Sequence, residues 1–193
     1  SCSTARSATP CQPACRRRLD RAMHDLVAIT PYAIAVLLAV AAWRDVATRL
    51  IPDGISVLVA LLGLAARAAA GPAEAAVSLA LAAGLFLLLL PAVSRGVLGG
   101  GDVKLASALL VGLAPAAAWD FVFLTAMLGG VLGLAYMAGP GLAGHARTPS
   151  AGMPLLQRVL QVEYWRLRRR GPVPYAVAIA SSGIFTHIVM LRG

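Results

Sequence analysis

Two aspartates, Asp45 and Asp102, are the residues of this chain best placed to do chemistry, because each stands at the edge of an apolar run and not inside one. Asp45 follows Trp43-Arg44 at the end of the first run. The negative end of a helix macrodipole disfavours a carboxylate there, so propensity does not account for it. Asp102 stands in the stretch LGGGDVKL, behind Gly99, Gly100 and Gly101. It could be a plain N-cap for the run that follows, yet a cap does not need three glycines ahead of it. Glycine lets backbone approach another chain closely and adopt positive φ, which suits a place where an extended peptide lies against a site.

Two carboxylates within hydrogen-bonding reach cannot both ionise. One keeps a proton, and the pair can act as general base and general acid toward water and an amide. Helix dipoles give an expectation for the roles: Asp45, at a helix C-terminus, as the protonated acid, and Asp102, at a helix N-terminus with Lys104 nearby, as the ionised base. The remaining carboxylates have ordinary explanations. Asp53 after Pro52 and Glu74 after Gly71-Pro72 read as helix starts, and Asp120 reads as a cap for the fifth run.

The elements that must position this pair are membrane helices. The 193 residues are 59% hydrophobic and only 13% charged, so water is not the only solvent. Against the roughly 20 apolar residues needed to cross a bilayer core, candidate spans fall at 26–43, 55–70, 75–93, 103–119, 121–137 and 173–191. The runs lack the alternation of a membrane barrel, and helices satisfy their own backbone groups. The expected fold is therefore an all-α polytopic membrane helix bundle of about six transmembrane helices. Only Trp119-Asp120 separates the fourth and fifth spans; Pro115, Trp119 and Asp120 favour a tight hairpin there over one long bent helix.

Alternating the spans puts Arg44, Arg49, Arg95, Lys104, Arg147, Arg158, Arg166, Arg168, Arg169 and Arg170 on one side, and Arg67 and Arg192 on the other. By the positive-inside rule the first side is cytoplasmic and both termini lie outside. The net charge of +9 is then a topology signal, not a nucleic-acid footprint. Asp45 and Asp102 fall on the same, cytoplasmic side.

Residues 1–22 read as a separate N-terminal tail ahead of a membrane domain at 23–193, with Met23 a possible true start. The tail holds Cys2, Cys11 and Cys15, whose spacing matches no common zinc pattern. His24, His145 and His187 share no helical spacing, so no metal is expected. LGGGDVKL lacks the frame of a nucleotide-binding loop, and no cofactor is expected. Residues 138–172 form a cytoplasmic loop whose second half, PLLQRVLQVEYWRLRRR, suggests either an interfacial helix on lipid or a solvated charge run. Arg67 can snorkel near a helix end, and His187, beside Thr186, reads as a hydrogen-bonded packing residue.

Three motifs carry a resemblance. The run from Asp45 to Pro52-Asp53 resembles an aspartate followed seven residues later by proline and then Asn or Asp. Gly99-Gly100-Gly101-Asp102-Val103-Lys104 is similar to the GxGDxK signature of type IV prepilin peptidases. Pro172-Val173-Pro174-Tyr175-Ala176 resembles that family's proline, aromatic, small-residue motif. The resemblance implies a membrane aspartyl endopeptidase that removes the short basic leader of prepilin or pseudopilin substrates at the cytoplasmic face of the bacterial inner membrane, alongside lipids and pilus-assembly proteins. It makes Asp45 and Asp102 the catalytic pair. Gly99 and Gly101 would shape the second aspartate's loop, with Lys104, Pro52 and Asp53 supporting it.

The larger relatives carry paired CxxC motifs and methylate the new N-terminus. Their absence here points to the short, peptidase-only branch of Flp-type (tight-adherence) pili, without methyl transfer. Archaeal preflagellin peptidases share the two aspartates, and the residues do not separate that relative. Presenilin-like enzymes also use GxGD, but their other aspartate follows a tyrosine, whereas Asp45 follows Arg44. From other classes, the rivals are a transporter, which would place carboxylates deep inside spans, and a pilus-assembly protein without protease activity.

Overall fold

The computed structural model describes residues 13–96, 98–142 and 173–192, with side chains over 29–96, 98–138 and 173–189. Among the described residues the chain forms six helices and no strand: α1 (Pro13–Thr48), α2 (Asp53–Ala70), α3 (Pro72–Ser94), α4 (Gly100–Val111), α5 (Pro115–Leu142) and α6 (Tyr175–Arg192). This is the expected all-α membrane bundle. Four segments are long and apolar enough to cross a bilayer: Ile29–Thr48, Asp53–Ala70, Pro72–Ser94 and Pro115–Ala138. The apolar part of α6, Tyr175–Val189, is shorter.

The exception is α4. Its 12 residues give a rod of about 18 Å, well short of the roughly 30 Å of hydrocarbon. It packs against α2, α3 and α6, and every residue from Asp102 to Val111 except Lys104 is buried. Leu105 and Leu109 are fully buried in one core cluster that also holds Ile34 and Leu38 of α1 and Ile179 of α6. The outer helices instead turn Leu87, Leu88, Phe123, Val131 and Leu134 outward. An apolar exterior of that extent is a surface for lipid.

The expected boundary between the fourth and fifth spans is wrong. Gly112 and Leu113 donate back to Leu109 and Leu110, three residues earlier, so the chain leaves α4 through a tight turn. Pro115 opens α5, where its missing N–H costs nothing. Trp119 and Asp120 are therefore exposed residues inside α5, and Asp120 caps nothing. The turn is held in place by close approach of small residues: a β-carbon on Gly63 would lie 2.7 Å from the Gly112 α-carbon, so α2 crosses the end of α4 backbone to backbone.

Arg67 does not snorkel to water. Its Nε donates to Ser78 Oγ at 3.0 Å, its Nη2 pairs with Glu74, and Ser78 Oγ donates to the Leu113 carbonyl at 3.0 Å. This chain of contacts ties α2 and α3 to the α4–α5 turn. His187 is buried in α6, but its Nε2 has no hydrogen-bond partner among the described residues. Helix α5 continues to Leu142, so the first residues of the expected loop 138–172 are helical. The rest of that loop, including the possible interfacial helix, and residues 1–12 of the expected tail lie outside the described residues.

Candidate functional site

Asp45 is buried because it continues the apolar stripe of its own helix. Ile34, Leu38, Ala41 and Asp45 recur at spacings of four, three and four, one face of α1, and all are buried. That face packs on α6. The amide of Ala176, in the first turn of α6, donates to Asp45 Oδ2 at 3.2 Å in a buried contact. The first amides of a helix have no intrahelical acceptor, so this one is available to an anion. The Pro174-Tyr175 pair starts α6 at the register that presents it. Tyr175 itself packs on α5, where a β-carbon at Gly129 would fall 2.7 Å from its ring.

Asp102 lies in the first turn of α4, three residues after the N-cap Gly99, and it too is buried. It is not the N-cap. Its amide donates to the Gly99 carbonyl at 3.1 Å, and its carboxyl reaches back to the Gly99 backbone amide, the return half of a capping box. Oδ1 has no hydrogen-bond partner among the described residues. Gly99 is required sterically, since a β-carbon there would lie 2.7 Å from Asp102 Oδ2. Gly101 faces Ile51 at 3.4 Å, ordinary contact, so packing alone gives it no comparable role.

Burial, and after it the charge of Asp45, pushes the Asp102 carboxyl up to about 7, against the opposing pull of Arg49 and of the Gly99 hydrogen bond. That direction is opposite to the one expected from helix dipoles, because desolvation outweighs the favourable end of a short helix. Asp45, in turn, is met by the N-terminus of α6, which the α1 dipole alone could not foretell.

Lys104 does not serve Asp102. Its Nζ donates to both carboxylate oxygens of Asp53, at 2.9 and 3.0 Å. Asp53 is thus a helix start, as read, and also the partner that clamps α2 to α4 beside the site. Pro52 is the extended N-cap residue of α2, with φ −62° and ψ 129°.

Two residues beside this site, Arg49 and Tyr136, were not singled out from the sequence. Arg49 follows α1 in a left-handed conformation, φ 57°, uncommon for a residue with a β-carbon. Its Nη2 donates to Tyr136 of α5 at 3.2 Å, and its charge is felt at Asp102. Counted as a topology charge, it gave no hint of this. The spacing from Asp45 was the available signal, because four residues on a helix end bring a cation to the carboxylate's own turn.

A cavity of about 240 Å³ opens on Asp102, walled by Leu85, Leu98, Ala106, Phe121, Tyr175 and Ile179. Asp102 is the one carboxyl in its lining among the described residues. The arrangement therefore offers a carboxyl whose burial favours its protonated form, a second carboxyl close enough for its charge to act on the first, and an apolar recess beside them.

A sequence model described as the type IV leader peptidase family matches residues 32–136, more than half of the chain. The match contains Asp45, the Pro52-Asp53 pair and the whole glycine stretch through Lys104. No match was found to a curated protein or to a solved structure.

Proposed function

The chain belongs to the type IV leader peptidase family, and on that footing we propose that it is an aspartyl endopeptidase in which Asp45 and Asp102 are the catalytic pair. The observation that carries the proposal is the shared burial of two carboxyls from α1 and α4, one raised in part by the charge of the other.

Asp45 is the ionised base and Asp102 the protonated acid. Asp45 takes a proton from a water as its oxygen attacks the scissile carbonyl carbon, and Asp102 gives its proton to the carbonyl oxygen. The resulting diol collapses: its hydroxyl returns a proton to Asp102, the amide nitrogen takes the proton held by Asp45, and the C–N bond breaks. Both carboxyls end as they began, and no cofactor enters. The cavity beside Asp102 takes an apolar side chain flanking the scissile bond, Gly99 leaves room for the Asp102 carboxyl, and the Lys104–Asp53 pair, next to Pro52, joins the starts of α4 and α2 beside it.

The substrate is a prepilin-like protein, cut after its short basic leader at the cytoplasmic face of the bacterial inner membrane, with both termini of the enzyme outside. Arg44, Arg49, Arg95 and Lys104 all lie at the Asp45 and Asp102 end, which supports that orientation. On this reading the chain falls in the Flp-type branch, whose prepilins are the substrates to test. The test is co-expression with Flp-type prepilins, reading the product mass. Loss of the leader at one bond supports the reading, and full-length prepilin in every case counts against it.

A further inference from the structure

On the flank of α4 away from the Asp102 cavity, a groove of about 570 Å³ runs between α2, α3 and α4. Its walls are apolar, from Val57, Leu79, Phe86 and Leu87, and three of these are more than half exposed or nearly so toward the lipid. Two features separate it from an ordinary gap between helices. Its mouth carries the Lys104–Asp53 ion pair, and its floor carries Ser56 and Ser107, which are 6% and 8% exposed. Neither serine hydroxyl has a hydrogen-bond partner among the described residues. A buried hydroxyl left unpaired is costly, and each of these reaches an acceptor placed in the groove by turning its side chain toward it.

The register is regular. Ser56 follows Asp53 by three residues and Ser107 follows Lys104 by three. The ion pair joins the starts of α2 and α4, and Gly63 meets Gly112 farther along, so the two helices run parallel. The backbones of Ser56 and Ser107 therefore sit about 4.5 Å farther along their helices than those of Asp53 and Lys104. A glycerophospholipid has the matching order: a charged headgroup, then ester carbonyls one glycerol unit deeper, then acyl chains.

We propose that this groove binds a phospholipid with a zwitterionic primary-amine headgroup, phosphatidylethanolamine. The phosphate meets Lys104, the headgroup ammonium donates to Asp53, the ester carbonyls accept from Ser56 and Ser107, and an acyl chain lies along Leu79, Phe86 and Leu87. Charge complementarity selects this occupant. The mouth presents one cation and one anion, so phosphatidylglycerol brings Asp53 no cationic donor beyond Lys104, and the quaternary amine of phosphatidylcholine has no N–H to give it. A transmembrane peptide helix fits less well, because its backbone carbonyls are already bonded and offer the serines no acceptor.

The experiment is native mass spectrometry of the purified full chain, titrated with phosphatidylethanolamine, phosphatidylcholine or phosphatidylglycerol of identical acyl chains. The expected result is at least fivefold tighter binding of the ethanolamine lipid. A Ser56→Ala/Ser107→Ala double variant, which removes only unpaired hydroxyls, should weaken that lipid by roughly tenfold. Ala83→Phe, which fills the groove, should abolish its preference. Equal affinity for the three lipids, or a double variant that binds the ethanolamine lipid as wild type does, overturns the proposal.

Discussion

The backbone amide of Ala176 donates to the carboxylate of Asp45 across 131 residues of sequence, joining the end of α1 to the start of α6 at 3.2 Å. This contact makes the last helix part of the candidate site. It also explains why a proline-rich segment precedes α6, since a sharp helix start leaves amides free to face an anion.

Replacing Ala176 with proline removes that donor at a position in the first helical turn, where proline is tolerated. Cleavage by Ala176→Pro should fall by about tenfold to a hundredfold, mainly in kcat, because the donor acts on the reacting carboxylate and not on distant substrate contacts. Its Tm should fall as well, because Ala176 is fully buried and Asp45 loses a buried donor. Kinetics on purified enzyme, paired with a thermal scan, check both.

The glycine stretch makes a sharper contrast. A β-carbon on Gly99 would press within 2.7 Å of Asp102 Oδ2, whereas one on Gly100 would meet only Val93 Cγ1 at 3.8 Å. Gly99→Ala should therefore lose activity by at least about tenfold while Gly100→Ala keeps most of it. Equal effects of the two substitutions would show that the glycines matter for backbone flexibility and not for the room they leave the carboxyl.

Hydropathy was enough to read the helical bundle, and the two oddly placed aspartates are both buried in it. The α4–α5 turn was not legible, because Gly112 and Pro115 sit inside a run apolar enough to pass for one span. Neither was the division of labour between the aspartates. Local dipoles pointed one way, while burial of Asp102 and the incoming α6 point the other, and both depend on partners far away in sequence. Arg49 was hidden for the same reason: its contact with Tyr136 spans 87 residues.

Proton linkage supplies a third test. Asp102 acts as an acid only while protonated, so with its carboxyl raised to about 7, activity should be present below that pH and fall as pH rises through it. The charge of Arg49 opposes the rise. Arg49→Gln removes this opposition, so the basic limb of the pH–rate profile should move to higher pH, by roughly half a unit to one unit. A limb that stays put would remove Arg49 from the electrostatics of the site.

The most direct measurement is leader removal from a co-expressed prepilin by wild type, Asp45→Asn and Asp102→Asn, with membrane insertion verified for each. A shared-proton pair predicts that either substitution, nearly isosteric with aspartate, lowers processing by a hundredfold or more. Wild-type processing by either variant would contradict the account, as would unchanged processing alongside an altered ion or solute flux.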